Sequence, residues 1–325
     1  MIKKILTIIV LLSGIITAQD LSGVAGAFAD IGFGARPAAL GGAFTAAAND
    51  VHSIMWNPAG LAQLDRPQAA FTFTSQLGLV NYHYLAASMP LGNNQNAGLA
   101  VISSGDEMMR EFTLQGAYAR SILTENLLVG VTVKFRYASF GNNSLNSSDY
   151  SGVFEPDEIE TGIKNQVKGN APGFGLDLGV LYKLNSRIHV GLMLKDIYSP
   201  VFWNSHVDNP EAKTKGKYTE LIPFEPVVGT SFLVSENLML TSDYAPGAIN
   251  EMNDKFRMGV EARLLDVLSL RGGYQNFINH EKDEKYTVGI GLDREIMKNL
   301  RVIVDYTIQI EELANSHRFG LGLEF

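Results

Sequence analysis

The chain has 325 residues, no cysteine, 34 acidic against 26 basic side chains (net charge −8) and a mean hydropathy of +0.05. The missing cysteines exclude disulfide scaffolds, thiolate metal centres and thiol nucleophiles. The acidic balance excludes the basic footprint that nucleic acid requires.

The N-terminus reads as an export signal over residues 1–18. Lys3-Lys4 precede an apolar run from Ile5 to Thr17, and Ala18 stands before the polar Gln19-Asp20. That run is too short to span a bilayer and suits a cleavable signal peptide, although Ile16 is larger than the usual residue near such a site. Cleavage removes Lys3 and Lys4, which takes the basic count from 26 to 24 and the net charge from −8 to −10.

Residues 19–68 do not alternate. Residues 19–67 hold 12 Ala and 7 Gly among 49 residues, which suits a segment packed closely inside something larger. Ala46–Asn49 is read as the end of a short helix. Asn57-Pro58-Ala59-Gly60 is read as a turn, since Pro fixes φ and Gly accepts positive φ.

From residue 69 to Phe325 the chain is one strand after another, with apolar and polar residues alternating. Leu127, Val129, Val131, Val133, Phe135 and Tyr137 share one face, and Gly130, Thr132, Lys134 and Arg136 the other. Strands are expected at 69–77, 80–90, 96–104, 111–122, 126–139, 172–183, 186–197, 224–234, 237–245, 255–264, 267–277, 285–293, 299–310 and 316–325. Connections alternate between short and long, the exception being the tight link near Leu77–Leu79. Fourteen strands with this rhythm define an antiparallel transmembrane β-barrel, with short turns in the periplasm and long loops outside. Ile188, Val190, Leu192 and Leu194 would face lipid, with His189 and Lys195 inward. Tyr137, Tyr244, Tyr274, Tyr286 and Tyr306 fall near the outer ends, as an aromatic girdle requires. The inward charges, among them Lys134, Arg136, Asp177, Glu261, Arg271 and Asp305, have mixed sign and read as a mutually neutralising lumen.

The last strand, Arg318 to Phe325, ends on an aromatic. With Gly320 and Leu323 it is similar to the insertion signal of outer-membrane barrels, with Leu where an aromatic is common. A barrel this wide is not filled by its wall residues, so its lumen is either occupied or left open, and residues 19–68 are expected to form an internal hatch.

Three strings then become informative: Gly32-Phe33-Gly34-Ala35-Arg36-Pro37-Ala38-Ala39-Leu40-Gly41-Gly42-Ala43-Phe44, Ala48-Asn49-Asp50, and Met55-Trp56-Asn57-Pro58-Ala59-Gly60-Leu61-Ala62. They resemble the start of the PorV/PorQ family and, more distantly, FadL-type transporters, whose hatch also carries Asn-Pro-Ala. The resemblance implies a fourteen-stranded outer-membrane barrel with its N-terminus folded inside. PorV-like proteins serve type IX secretion by receiving exported cargo. FadL-like proteins carry hydrophobic molecules, often through a wall opening gated by the hatch. The closer match puts the expectation on an accessory or docking role in protein export, with a FadL-like channel for hydrophobic small molecules as the alternative.

For a channel, the candidate hatch residues are Phe33, Phe44, Met55, Trp56, Asn57, Pro58 and Gly60. For docking, the candidates are aromatics of the long outer segments: Tyr150, Phe154, Tyr198, Phe202, Trp203 and Tyr218. Expected partners are outer-membrane lipids, the barrel-assembly machinery and either secretion components with their cargo or a hydrophobic small molecule. No hydrolase elbow, zinc motif or phosphate loop occurs, so neither catalysis, cofactor nor metal is expected. Gly173-Phe174-Gly175 sits in a strand, which makes its glycines inward-facing rather than nucleotide-binding. Glu155, Asp157, Glu158 and Glu160 lack calcium-loop spacing and read as solvated surface.

Overall fold

The structure is a computed structural model that describes residues 31–106, 108–141, 162, 165–207, 209, 215–247, 253–278 and 284–325. The signal segment, Tyr150, Phe154 and the acidic run at 155–160 lie outside the described residues.

Among the described residues sixteen strands form, in chain order: β1 Gln68–Gln76, β2 Val80–Gly92, β3 Gln95–Gly105, β4 Met109–Ile122, β5 Thr124–Phe140, β6 Val167–Lys183, β7 Ile188–Tyr198, β8 Pro200–Val207, β9 Lys215–Leu221, β10 Glu225–Ser235, β11 Leu238–Ala245, β12 Asp254–Leu264, β13 Leu268–Ile278, β14 Glu284–Met297, β15 Leu300–Ile310 and β16 Ser316–Glu324. Fourteen of them make a closed antiparallel ring. The ring runs β1 to β7, passes directly to β10 by Thr230 opposite Val190, and returns through β16 to β1 by Phe73 opposite Phe319. Closure leaves no edge with unpaired backbone groups, which a lipid environment requires. The link at Leu77–Leu79 is as tight as expected: Gln76 pairs with Val80 across three residues, Leu77 and Gly78 have positive φ (54° and 69°), and the Leu79 amide donates to the Gln76 carbonyl (2.9 Å).

The outer face carries a continuous apolar band. Leu99, Val133, Phe135, Phe174, Leu178, Val260, Val288, Leu292, Val304 and Leu321 are all exposed. An area of this kind exceeds what a water-facing protein leaves open and matches a hydrocarbon belt. Girdle tyrosines tie the outer rim together. Tyr274 and Tyr286 pack at 5.3 Å and both donate to Glu284 (3.0 and 2.7 Å). Tyr306 meets the His317 ring nitrogen at 2.8 Å.

Two expectations need correcting. The stretch 198–223 is not simply a loop, because β8 and β9 pair with each other and β8 continues the β6 ladder above β7. Ser199 interrupts β7–β8, and the register between β6 and β7 slips between Leu176–Tyr198 and Leu178–Leu194. Asp196, at φ 52°, sits in that bulge. A buried ion cluster holds it: Asp196 accepts from Lys134 (3.1 Å) and Arg136 (2.8 Å), its amide donates to Asp177 (2.8 Å), and Arg136 also reaches Ser199. The second correction is that no helix ends at Ala46–Asn49. The hatch instead has helix α1 Ala35–Ala39, helix α2 Ser53–Trp56 and a 3₁₀ helix Pro58–Gln63, joined by turns through Gly41 and Gly42. These pieces are too short for any helical period to show in the sequence.

Inward glycines of the wall seat the hatch. A Cβ at Gly130 would lie 2.5 Å from the Ala59 amide, at Gly179 2.8 Å from the Pro58 ring, at Gly191 2.5 Å from the Thr45 carbonyl and at Gly259 2.7 Å from that of Leu40. Gly179→Leu should therefore push the hatch off β6 while the outer wall still closes. We expect barrel-like heat-modifiable migration to persist, with protease cleavage near residue 57 and a loss on the order of 1–3 kcal/mol in denaturant unfolding.

Candidate functional site

The hatch follows the inner wall. Residues 35–46 pass from β15 to β10, residues 47–53 turn toward β1 and β2, and residues 57–64 run from β6 to β3. Its carbonyls are met in order by wall donors: Ala35 by Thr307 (2.7 Å), Ala39 by Thr287 (3.0 Å), Ala43 by Thr241 (2.8 Å), Ala46 by Ser231 (3.2 Å), Ile54 by Thr132 (2.8 Å) and Leu64 by Asn96 (3.0 Å). In return Asp243 accepts from the Phe44 and Thr45 amides (3.1 and 3.0 Å). The turns of the hatch bond their own backbone locally, and side chains of the wall meet the carbonyls left over between them.

Asn57 is fully buried and serves three backbones at once. Its amide group donates to the Thr45 carbonyl (2.8 Å) and to the Val180 carbonyl of β6 (3.1 Å), while its oxygen accepts from the Ala59 amide (3.2 Å) as the cap of the 3₁₀ helix. Pro58 follows at the first helical position, where its missing N–H is harmless. A Cβ on Gly60 would lie 2.7 Å from Ser53 Oγ. Asn57, Pro58 and Gly60 thus fix the hatch to itself and to the wall.

Arg36, within the resembling string but not singled out by sequence reasoning, is the second fastening. It donates twice to Glu261 of β12 (2.9 and 3.0 Å) and to Asp50 (2.8 Å), and Glu261 is shared with Arg271. Burial alone would push the Asp50 carboxyl up, but the adjacent His52 ring and Arg36 guanidinium outweigh it and hold it below the usual carboxylate range.

The remaining hatch candidates fill the middle. Phe33 stacks on Tyr84 of β2 (5.9 Å, 9°) and meets Tyr82 at 5.6 Å. Trp56 donates from its indole to the Phe33 carbonyl (2.8 Å) and lies edge-on to Phe44 at 6.2 Å. The Arg36 guanidinium stands 5.3 Å from the Phe44 ring, on cation–π terms. Two cavities flank this group. The outer one, about 200 Å³, is floored by Met55 and Trp56 and walled by Met193, Val227 and Phe277 together with Lys195, Glu225, Lys255, Arg257 and Lys285. The periplasmic one, about 220 Å³, is lined by Arg36, Asp50 and His52 and leads to a wider mouth beside Arg66, Glu295 and Glu324.

The docking candidates do not form one surface. Tyr198 and Phe202 point outward beside Phe174 (5.8 and 6.2 Å), continuing the aromatic band. Trp203 and Tyr218 stack on the inner face of the β8–β9 hairpin (6.5 Å, 13°), where Trp203 donates to Glu220 at 2.6 Å. Gly320 faces Ala35 of the hatch, and Leu323 pairs with Ala69 in the wall, so the strand that ends at Phe325 is also part of the hatch seat.

Several solved structures share this architecture. The CymD monoaromatic hydrocarbon channel aligns over 92% of this chain and 98% of its own at 14% identity and a TM-score of 0.61. The toluene transporter TbuX of Ralstonia pickettii aligns over 91% and 98% at 15% identity and a TM-score of 0.60. A FadL homologue of Pseudomonas aeruginosa aligns over 85% and 94% at 11% identity and a TM-score of 0.56. At these identities the likeness establishes the fold, that of FadL-like outer-membrane barrels. No family model and no curated protein matches the chain. The PorV/PorQ resemblance rests on the hatch strings alone.

Asn57→Ala should leave the Thr45 carbonyl and the Ala59 amide unmet in a buried place and remove the added bond to the Val180 carbonyl of the β6 ladder. A destabilisation on the order of 2–4 kcal/mol is expected in urea titration, with Asn57→Asp recovering the cap but not the two donated bonds. A null effect would show that Asn57 does not fasten the hatch.

Proposed function

We propose that the protein is an outer-membrane channel for hydrophobic small molecules, delivered across the inner membrane by the cleavable signal at residues 1–18. The carrying observation is a lumen closed by a wall-seated hatch, with an outer cavity whose floor is the apolar pair Met55 and Trp56. That arrangement occurs in a fold shared with hydrocarbon channels and toluene transporters. Met193, Val227 and Phe277 offer an apolar wall for a ligand, and the charged rim supplies hydrogen bonds that would orient it. In this reading the hatch residues Phe33, Phe44, Met55 and Trp56 control access, and the protein carries out no chemical step and needs no cofactor.

The test is uptake of radiolabelled toluene and oleate by a Gram-negative host lacking its own hydrophobic uptake channels. Expression should raise the initial rate of at least one of them about tenfold over an empty vector. Equal rates would contradict the channel reading.

The hatch strings favour a second reading, an accessory role in protein export. Its contact surface would include the exposed Tyr218 on the outer hairpin, half of whose side is open. Under that reading Trp203→Ala with Tyr218→Ala, the stacked pair on one face of the hairpin, abolishes co-purification of exported proteins while toluene uptake stays at the empty-vector level.

A further inference from the structure

The geometry points to a passage through the centre of the hatch whose size limit is set by Trp56. Three side chains in contact connect the linings of the two cavities. Trp56 forms part of the outer floor, Arg36 part of the periplasmic lining, and the fully buried Phe44 lies between them at 6.2 Å from the indole and 5.3 Å from the guanidinium. The outer and periplasmic cavities have no lining residue in common; helix α1 borders both, through Ala38 and Ala35, and beside it the column joins one lining to the other.

Arg36 is tied to Glu261 and Asp50, but Trp56 and Phe44 are held differently from the ring around them. The ring is bound through its backbone to wall side chains from Thr307 round to Asn96. Moving it means breaking those bonds together and leaving buried carbonyls unmet, which a dry interior penalises. Trp56 is attached through its side chain by one hydrogen bond, to the Phe33 carbonyl. Its six-membered ring fits between two glycines, Gly32 and Gly42, where an added Cβ would lie 2.7 and 3.2 Å from the indole. Both glycines have positive φ (69° and 77°), so the chain turns closely about the ring on either side. The outer cavity opens directly above it. Rotation of Trp56 and then Phe44 would open a path from the outer cavity to Arg36 without breaking any of the ring's bonds to the wall.

The inference deepens the channel reading and takes its biological meaning from it. Its test uses a polar solute, so the two can fail separately. The full chain is reconstituted in liposomes, and swelling is followed with arabinose and with a graded series of larger saccharides. The wild type should be tight to arabinose, and Trp56→Ala should swell at least tenfold faster in arabinose while still excluding the largest saccharides. A folded Trp56→Ala protein that remains tight to arabinose overturns the inference. If Trp56→Ala admits every solute, the hatch has left its seat and Trp56→Phe decides: slow arabinose entry supports the column, and none overturns it. Toluene uptake measured in cells reports on the channel reading independently of either result.

Discussion

The structure depends on the fit between a hatch made of turns and a wall that provides for it. A segment made of short turns leaves carbonyls between them without a backbone partner, and in a closed lumen an unmet carbonyl is costly. The wall answers with inward Thr and Ser hydroxyls at β5, β10, β11, β14 and β15, and with glycines such as Gly130, Gly179, Gly191 and Gly259 where the two backbones come closest. Each inward glycine would be a weak choice in an isolated strand, since Gly costs strand stability. Here it creates the space that the hatch fills, so hatch and barrel define one another.

Electrostatics follow the same economy. The lumen carries Lys134, Arg136, Arg257 and Arg271, and each finds a carboxylate across the wall: Asp177 and Asp196 for the first two, Glu225 for the third, Glu261 and Asp305 for the fourth. Buried pairs of this kind contribute little net stability, but removing one partner is expensive, on the order of 3–5 kcal/mol. Their value is positional. Lys134 and Arg136 clamp the bulge at Asp196, where the β6–β7 ladder slips, and Glu261 brings the hatch through Arg36 to β12. The polar attachments lie at the rim of the hatch and the aromatic side chains of Phe33, Phe44 and Trp56 toward its middle.

The wall was legible from sequence because lipid on one side and hatch on the other force every second residue to differ. Strand ends such as Gln68–Gln76 and Ser316–Glu324 fall within a residue or two of their expected positions. The hairpin β8–β9 was not legible, because above the membrane both of its faces mix polar and apolar residues and Ser199 breaks the period. Within the hatch, Asn57, Pro58 and Trp56 stood out as a string, but their roles depend on partners far along the chain, such as Val180 and Gly179. Arg36 carried no local signal, since its partners Asp50 and Glu261 lie 14 and 225 residues away. The inward glycines and threonines were visible as a pattern, and only the threaded hatch explains them.

The most direct test of this account is amide hydrogen exchange of the bilayer-reconstituted protein, read along residues 35–64. If the hatch is an integral layer of the barrel, the amides of Gly41, Phe44 and Thr45, which donate to Thr287 and Asp243, exchange as slowly as those of neighbouring strands β11 and β14. Exchange of these amides on the timescale of the outer loops would contradict a wall-seated hatch.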